Sequence, residues 1–240
     1  MVDIHCHLLP HVDDGAESWE IAVGMCRMAQ QDGIRHIVAT PHANDEFSYD
    51  RAAHAALLQQ LRERVAGSVR LSLGCDFHFS YENIQDAMAN PERYTIEDTP
   101  YLLVELSDFA VPPGISDSLL RFLSIGISPI ITHPERNPIL QRTPERILKW
   151  VDLGCAVQVT ASAFTGRWGK KARQVAEMLL KRHAVHVLAS DAHDLEDRQP
   201  ILSAARDIVA RLSSAETAAM LVEQNPQAIV NGEDLLWGSR

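Results

Sequence analysis

The first strand-like run of the chain ends in His5-Cys6-His7, and the last ends in Ser190-Asp191-Ala192-His193. Between them Asp14, His42, Asp76, Glu105 and His133 each stand just past another apolar run. Alternate side chains of a β-strand share a face, so His5 and His7 can point at one ion while Cys6 faces away. Mixed imidazole and carboxylate donors suit zinc, manganese or iron. The nine residues His5, His7, Asp14, His42, Asp76, Glu105, His133, Asp191 and His193 are enough for three divalent ions that share a bridging carboxylate.

Such donors meet only if the strands that carry them lie side by side with their ends at one mouth. Seven strand-like runs alternate with amphipathic stretches, the pattern of parallel βα units. Strands are expected at 2–5, 34–39, 69–75, 101–106, 128–132, 156–160 and 184–189. Helices are expected at 18–31, 50–65, 81–89, 116–124, 143–154 and 170–182, then at 201–212 and 215–224 before a tail that packs as a cap. Ser18 is a candidate N-cap, and Gly33 and Gly154 are helix stops. In βα barrels functional groups gather at the C-terminal face, and only the sixth strand here lacks a strong ligand at that end.

With 46% hydrophobic residues, a chain of 240 residues can bury a large core, so one domain over 1–240 is expected. A formal charge of -10 argues against general attraction to nucleic acid or anionic lipid, although bound cations leave phosphate binding open. No run is apolar enough for long enough to span a bilayer, and no basic segment precedes the first strand. A cytoplasmic location without membrane insertion is the expectation. Cys6, Cys26, Cys75 and Cys155 form no Cys-x-x-Cys pair and read as buried, reduced thiols.

Each donor also has an ordinary reading: His42 as a loop cap, Asp14 in a turn beside Asp13 and Gly15, Glu105 as an ion-pair partner. The joint pattern outweighs these, because six strands would have to end independently in His or acid on one face. His11, His36, His54, His78, His183 and His186 fall mostly in helices, mid-strand or at helix ends and read as structural, with His11 the first exception to consider.

The motifs Asp3-Ile4-His5-Cys6-His7, Val12-Asp13-Asp14-Gly15, Ala39-Thr40-Pro41-His42, Leu103-Val104-Glu105-Leu106, Thr132-His133-Pro134-Glu135-Arg136 and Ser190-Asp191-Ala192-His193 resemble the polymerase and histidinol phosphatase (PHP) superfamily. Within it, the Asp-Asp-Gly segment, His-Pro-Glu-Arg and the trailing Arg198 resemble the manganese-dependent protein tyrosine phosphatases of bacterial capsule and exopolysaccharide gene clusters. The resemblance runs from about residue 1 to 230. It implies a distorted (β/α)7 barrel of the TIM-like PHP type, with three divalent ions. Manganese is the expected metal, and iron and zinc are the alternatives. Carried over by position, one ion falls to His5, His7, Asp76 and Asp191, a second to Asp76, Glu105 and His133, and a third to Asp14, His42 and His193. The family pattern carries Glu at the bridging position, where Asp76 reaches one methylene less far. Either the third strand sits closer to the metals, or the bridge is weakened and one ion binds loosely. Arg136 and Arg198 match arginines that hold substrate phosphate, a role that suits guanidinium geometry.

The implied reaction is hydrolysis of phosphotyrosine by a metal-bound hydroxide, with the tail of a cognate bacterial tyrosine kinase as the implied partner. No cysteine is followed five residues on by a fitting Arg, so no cysteine nucleophile is expected. A phenolate leaves without strong acid help, and His11 or Asp194 is the candidate if an acid takes part. Histidinol phosphate or another small phosphomonoester is the competing substrate. An amidohydrolase would typically need an eighth strand and often a carboxylated Lys at a strand end. A non-catalytic kinase-docking module is the competing reading from another class.

Overall fold

Two of the seven expected strands are broken, each where the sequence interrupts a regular ladder. In the computed structural model, which describes residues 1–236, the second strand is split into β2 (His36–Ala39) and β3 (His42–Ala43) around Thr40-Pro41. Proline cannot donate to a ladder, which accounts for the interruption. The third is split into β4 (Arg70–Leu73) and β5 (Asp76–His78) at Gly74-Cys75. Gly74 is tightly enclosed: a Cβ there would meet Ile96 Cγ1 at 3.0 Å and Val38 Cγ1 at 3.1 Å. Backbone bonds bridge the breaks, Gly74 N–H donating to Ala39 O (2.8 Å) and Asp76 N–H to Pro41 O (3.0 Å).

With β1 (Val2–Cys6), β6 (Tyr101–Glu105), β7 (Ser128–Thr132), β8 (Ala156–Thr160) and β9 (Val187–Ala189), the segments form two parallel sheets, β1-β2-β4 and β3-β5-β6-β7-β8-β9. A bridge between Cys6 and Ala192, with His7 N–H on Ala192 O at 2.8 Å and Asp191 N–H on His5 O at 2.9 Å, closes the ring. Counting each broken strand once, the described residues make a distorted seven-stranded parallel barrel, as expected.

A bulge in β1 aims the first two histidines. Asp3 pairs with Ile37 and Cys6 with Ala39, so Ile4 and His5 together stand opposite the single residue Val38. The extra residue switches which positions face inward. Val2 and Ile4 pack in the inner apolar cluster with Val38, Leu103 and Ile130, whereas Cys6 joins the outer cluster with Ile37 and Ala39. His5 and His7 are thereby left facing the mouth.

The outer layer contains α1 (Trp19–Gln31), α2 (Arg51–Val65), α3 (Tyr81–Ala89), α4 (Ile115–Ser124), α5 (Glu145–Leu153), α6 (Ala161–Phe164) and α7 (Gly169–Lys181). Ser18 caps α1 by accepting from Ile21 N–H, and the helix buries Ala22, Met25, Cys26 and Ala29 at helical spacing. The short α6 was not anticipated. The expected strand 184–189 shrinks to Val187–Ala189. The chain then runs through α8 (Ser203–Leu212), α9 (Ala215–Ala219), a π-helical turn over Met220–Gln224 and α10 (Asn225–Asn231). Ala228, Ile229 and Val230 plug the lower end of the barrel against Val2, Tyr101 and Val187, the cap expected of the tail. Among the described residues, no helix is long and apolar enough to cross a membrane.

Candidate metal centre

Asp76 decides whether ions fit the mouth. The residue is fully buried, yet among the described residues neither carboxylate oxygen has a hydrogen-bond partner in good geometry. Oδ2 lies 3.2 Å from His42 Nδ1, 3.5 Å from His5 Nε2 and 4.0 Å from His7 Nε2. A buried carboxylate without hydrogen bonds is costly unless a charge is supplied, and three imidazole nitrogens around it complete a donor set suited to a divalent ion. Three overlapping groups bring their donor atoms within 4.8 Å of one another: His5, His7 and Asp76; His42, Asp76 and Glu105; and His7, Asp14, His42 and His193. The residues present fit bound metal.

The grouping differs in detail from the one implied by resemblance. His42 stands between two groups, with Nε2 3.3 Å from Asp14 and Nδ1 3.6 Å from Glu105. His133 approaches the centre from the edge, its Nε2 3.7 Å from Glu105 Oε1. Asp191 Oδ1 lies 3.4 Å from both His5 and His7 Nε2, and Asp14 Oδ1 lies 3.3 Å from His193 Nε2. His133 (φ 33) and Asp191 (φ 52) both have left-handed backbones at strand ends. Such strain in residues other than glycine persists where the surroundings over-determine it, commonly at binding sites.

Two orienting residues escaped sequence reasoning. Asp13 Oδ2 lies 2.8 Å from His7 Nδ1 and accepts from His42 N–H at 3.1 Å, so it fixes the His7 ring with Nε2 toward the centre. Gln158, on the strand without a ligand, places Oε1 3.0 Å from His5 Nδ1 and does the same for His5. Partners of this kind set the tautomer and direction of ligating histidines. His78, read above as structural, lies at the mouth with Nδ1 3.6 Å from Glu105 Oε2. It is two residues from Asp76 on β5 and shares its face, a period-two signal available in the sequence.

Charge balance also points to cations. Burial alone would push the His5 imidazole down, but the Asp76 and Asp191 carboxylates outweigh it and raise the pKa to about 9. Burial is likewise overcome at His42 by Asp14 and Asp76, which raise it to about 11. At the outer edge, burial and then Arg136 hold His133 well below the ordinary range. The inner carboxylates thus draw protons onto His5 and His42, a positive charge that metal ions would replace on binding.

Arg136 and Arg198 converge beside this centre on a single atom. Arg136 Nη1 and Arg198 Nη2 both donate to Asp191 Oδ2, the second at 2.6 Å. Their guanidinium carbons stand 3.7 Å and 5.7 Å from the centroid of the Trp168 ring. Of the two candidate acids, Asp194 is occupied: Oδ1 accepts the backbone N–H groups of Glu196, Asp197 and Arg198 at 2.6–2.9 Å. Although burial works the other way, those bonds hold its carboxyl below the usual range, which disqualifies it as a proton donor. His11 lies exposed on the loop after β1.

A sequence profile described as "Capsular polysaccharide synthesis, CpsB/CapC" matches residues 1–231. The tyrosine-protein phosphatase CpsB of Streptococcus pneumoniae is 30% identical over 239 residues, covering 96% of this chain and 98% of that protein. The tyrosine-protein phosphatase YwqE of Bacillus subtilis is 31% identical over 228 residues, covering 93% and 89%. A crystal structure from work on YwqE and S. pneumoniae CpsB, described as "unique metal-dependent tyrosine phosphatases", superposes with a TM-score of 0.92 and 29% identity over 99% of this chain and 97% of the other. Histidinol phosphate phosphatase of Lactococcus lactis, at 12% identity and a TM-score of 0.59, shares the fold alone. With the profile running through every strand that carries a donor, from His5 to His193, the chain belongs to the CpsB/CapC family of capsular polysaccharide synthesis.

Proposed function

We propose that the protein is a metal-dependent protein tyrosine phosphatase whose substrate is a phosphotyrosine-bearing protein, the tail of a cognate bacterial tyrosine kinase of polysaccharide biosynthesis or export. The observation that carries this reading is the pair of guanidiniums meeting on Asp191 Oδ2, beside a cluster of histidines and carboxylates gathered around the buried Asp76. The activities named for CpsB and YwqE support it.

His5, His7, Asp76 and Asp191 would hold one ion, Asp76, Glu105 and His133 a second, and Asp14, His42 and His193 a third. Manganese is the expected metal, with iron or zinc as alternatives. When bound, such ions supply Lewis-acid polarisation and an activated water at neutral pH. Asp13 and Gln158 hold the His7 and His5 rings in the ligating orientation. Arg136 and Arg198 take oxygens of the phosphoryl group and stabilise the charge that develops there in the transition state. Asp191 keeps the two guanidiniums together before substrate arrives.

The leaving group follows from Asp194. With that carboxylate held ionised by three N–H donors, the better substrate is one whose leaving oxygen needs little protonation. A phenol, with a pKa of about 10, meets that condition better than the alcohol of a histidinol ester. Four buried, unpaired cysteines accord with a reducing cytoplasm, where a kinase tail would be met.

The test is hydrolysis of a phosphotyrosine peptide and of histidinol phosphate by protein stripped with chelator and then reloaded with manganese. Turnover should require metal and favour the peptide. Undiminished turnover in rigorously metal-free protein would end the metal reading, and preference for histidinol phosphate would end the substrate reading.

A further inference from the structure

The sixth strand, β8, ends without a metal donor, but the loop behind it brings an aromatic ring to the site. After α6 the chain turns at Gly166 and Gly169, with φ of +91° and +84°, values that a side chain would make costly. Gly169 N–H donates to Gly166 O at 3.0 Å and Arg167 N–H to Ser162 O at 3.2 Å, closing a tight loop around Trp168. The indole is pinned at its polar end, Nε1 donating to Ser162 Oγ at 2.9 Å. The ring lies under Arg136 at 3.7 Å and within cation–π reach of Arg198 at 5.7 Å.

Two cations that share one carboxylate oxygen repel each other, and their only charge partner in common is Asp191 Oδ2 among the described contacts. A cavity of about 270 Å³, lined by Ser162, Trp168, Asp191, Arg198 and Gln199 among others, adjoins Arg198. The Arg198 guanidinium, if released from the ring, would have room to swing aside. We propose that Trp168 is a positioning residue for phosphate recognition: its ring face holds Arg136, and with it the shared pair, in the orientation that receives a phosphoryl group. The proposal rests on the phosphatase reading for the use of the arginine pair, but phosphate affinity can be measured without turnover.

Trp168→Leu keeps apolar bulk and removes the π face, and Trp168→Phe keeps a π face and removes the N–H. Binding of inorganic phosphate to the manganese-loaded protein is measured by calorimetry, alongside kcat and KM for an aryl phosphate, metal content and thermal midpoint. The Leu variant should bind phosphate roughly 2- to 30-fold more weakly, the span expected for loss of a cation–π contact. KM should rise in parallel with kcat less affected, metal content and midpoint should hold, and Phe should restore most of the loss. Wild-type phosphate affinity in the Leu variant would overturn the proposal. So would a Phe variant as weak as Leu, or a Leu variant that loses metal or melts early, since the ring would then serve the barrel. If the unsubstituted protein binds phosphate in a Trp168-dependent way but hydrolyses no aryl phosphate, the phosphatase reading falls and the role of Trp168 stands.

Discussion

Asp76 offers the sharpest test of the centre, because a change of one methylene there separates two accounts of the same site. On the first, the shorter acid is merely tolerated, and Asp76→Glu would tighten metal binding. On the second, the strand has moved inward to suit Asp, and the longer acid would crowd the donors. The structure favours the second. Asp76 N–H is tied to Pro41 O at 3.0 Å, and Gly74, two residues earlier, packs so closely on Val38 and Ile96 that the backbone has little room to withdraw. Oδ2 already stands 3.2–4.0 Å from three imidazoles. Glu would carry the carboxylate about 1.5 Å further, against a tolerance of about 0.5 Å for a working site. Overpacking of this kind costs about 1–3 kcal/mol, or a factor of roughly 5 to 150 in metal affinity if it falls on the bound state.

The assay is manganese titration by calorimetry, with elemental analysis after gel filtration and initial rates on an aryl phosphate. Asp76→Glu should bind metal more weakly and turn over more slowly at limiting manganese. Asp76→Asn should lose at least one ion and most activity, since a neutral amide bridges two cations poorly. A Glu variant with tighter metal binding and a full rate would refute the packing argument. An Asn variant with unchanged metal content and rate would show that the bridging ligand lies elsewhere.

Arg136→Ala and Arg198→Ala each leave Asp191 Oδ2 one guanidinium partner, so metal content should stay near normal while kcat/KM for a phosphotyrosine peptide falls roughly 10- to 150-fold, the span of one charged hydrogen bond. Loss of metal in either variant would give that arginine a different role. Burial pushes the Glu135 carboxyl up from 4.5 to about 7, so the folded chain holds this proton more tightly than the unfolded one. Its stability contribution is therefore present below about pH 4.5 and lost as pH climbs toward 7, by on the order of 3 kcal/mol. Glu135→Gln should gain stability over the unsubstituted protein between pH 5 and pH 8 in metal-free urea unfolding, and a difference that does not vary with pH would refute this.

The ring of strands was legible because each apolar run ends in a residue that no core would choose, and parallel βα units put those ends on one rim. Period two was enough to orient His5 against Cys6, and would have placed His78 beside Asp76 and Gln158 on the inward face with Thr160. The bulge that makes Ile4 and His5 both face inward leaves no mark on the spacing, since it arises from the register against Val38. The breaks at Pro41 and Gly74 were visible as residues, but their effect depends on which neighbours enclose them. Asp13 and Asp14 are adjacent acids of the same type, and only the path of the loop turns one toward His7 Nδ1 and the other toward His42 and His193. Trp168 is further removed still, since its place depends on a two-glycine turn behind a helix that the periodicity did not reveal. On the proposed reading, the empty end of the sixth strand was itself informative. A site that holds three ions must also leave one sector of its rim free of metal donors, and the phosphoryl group with its arginines belongs in that sector.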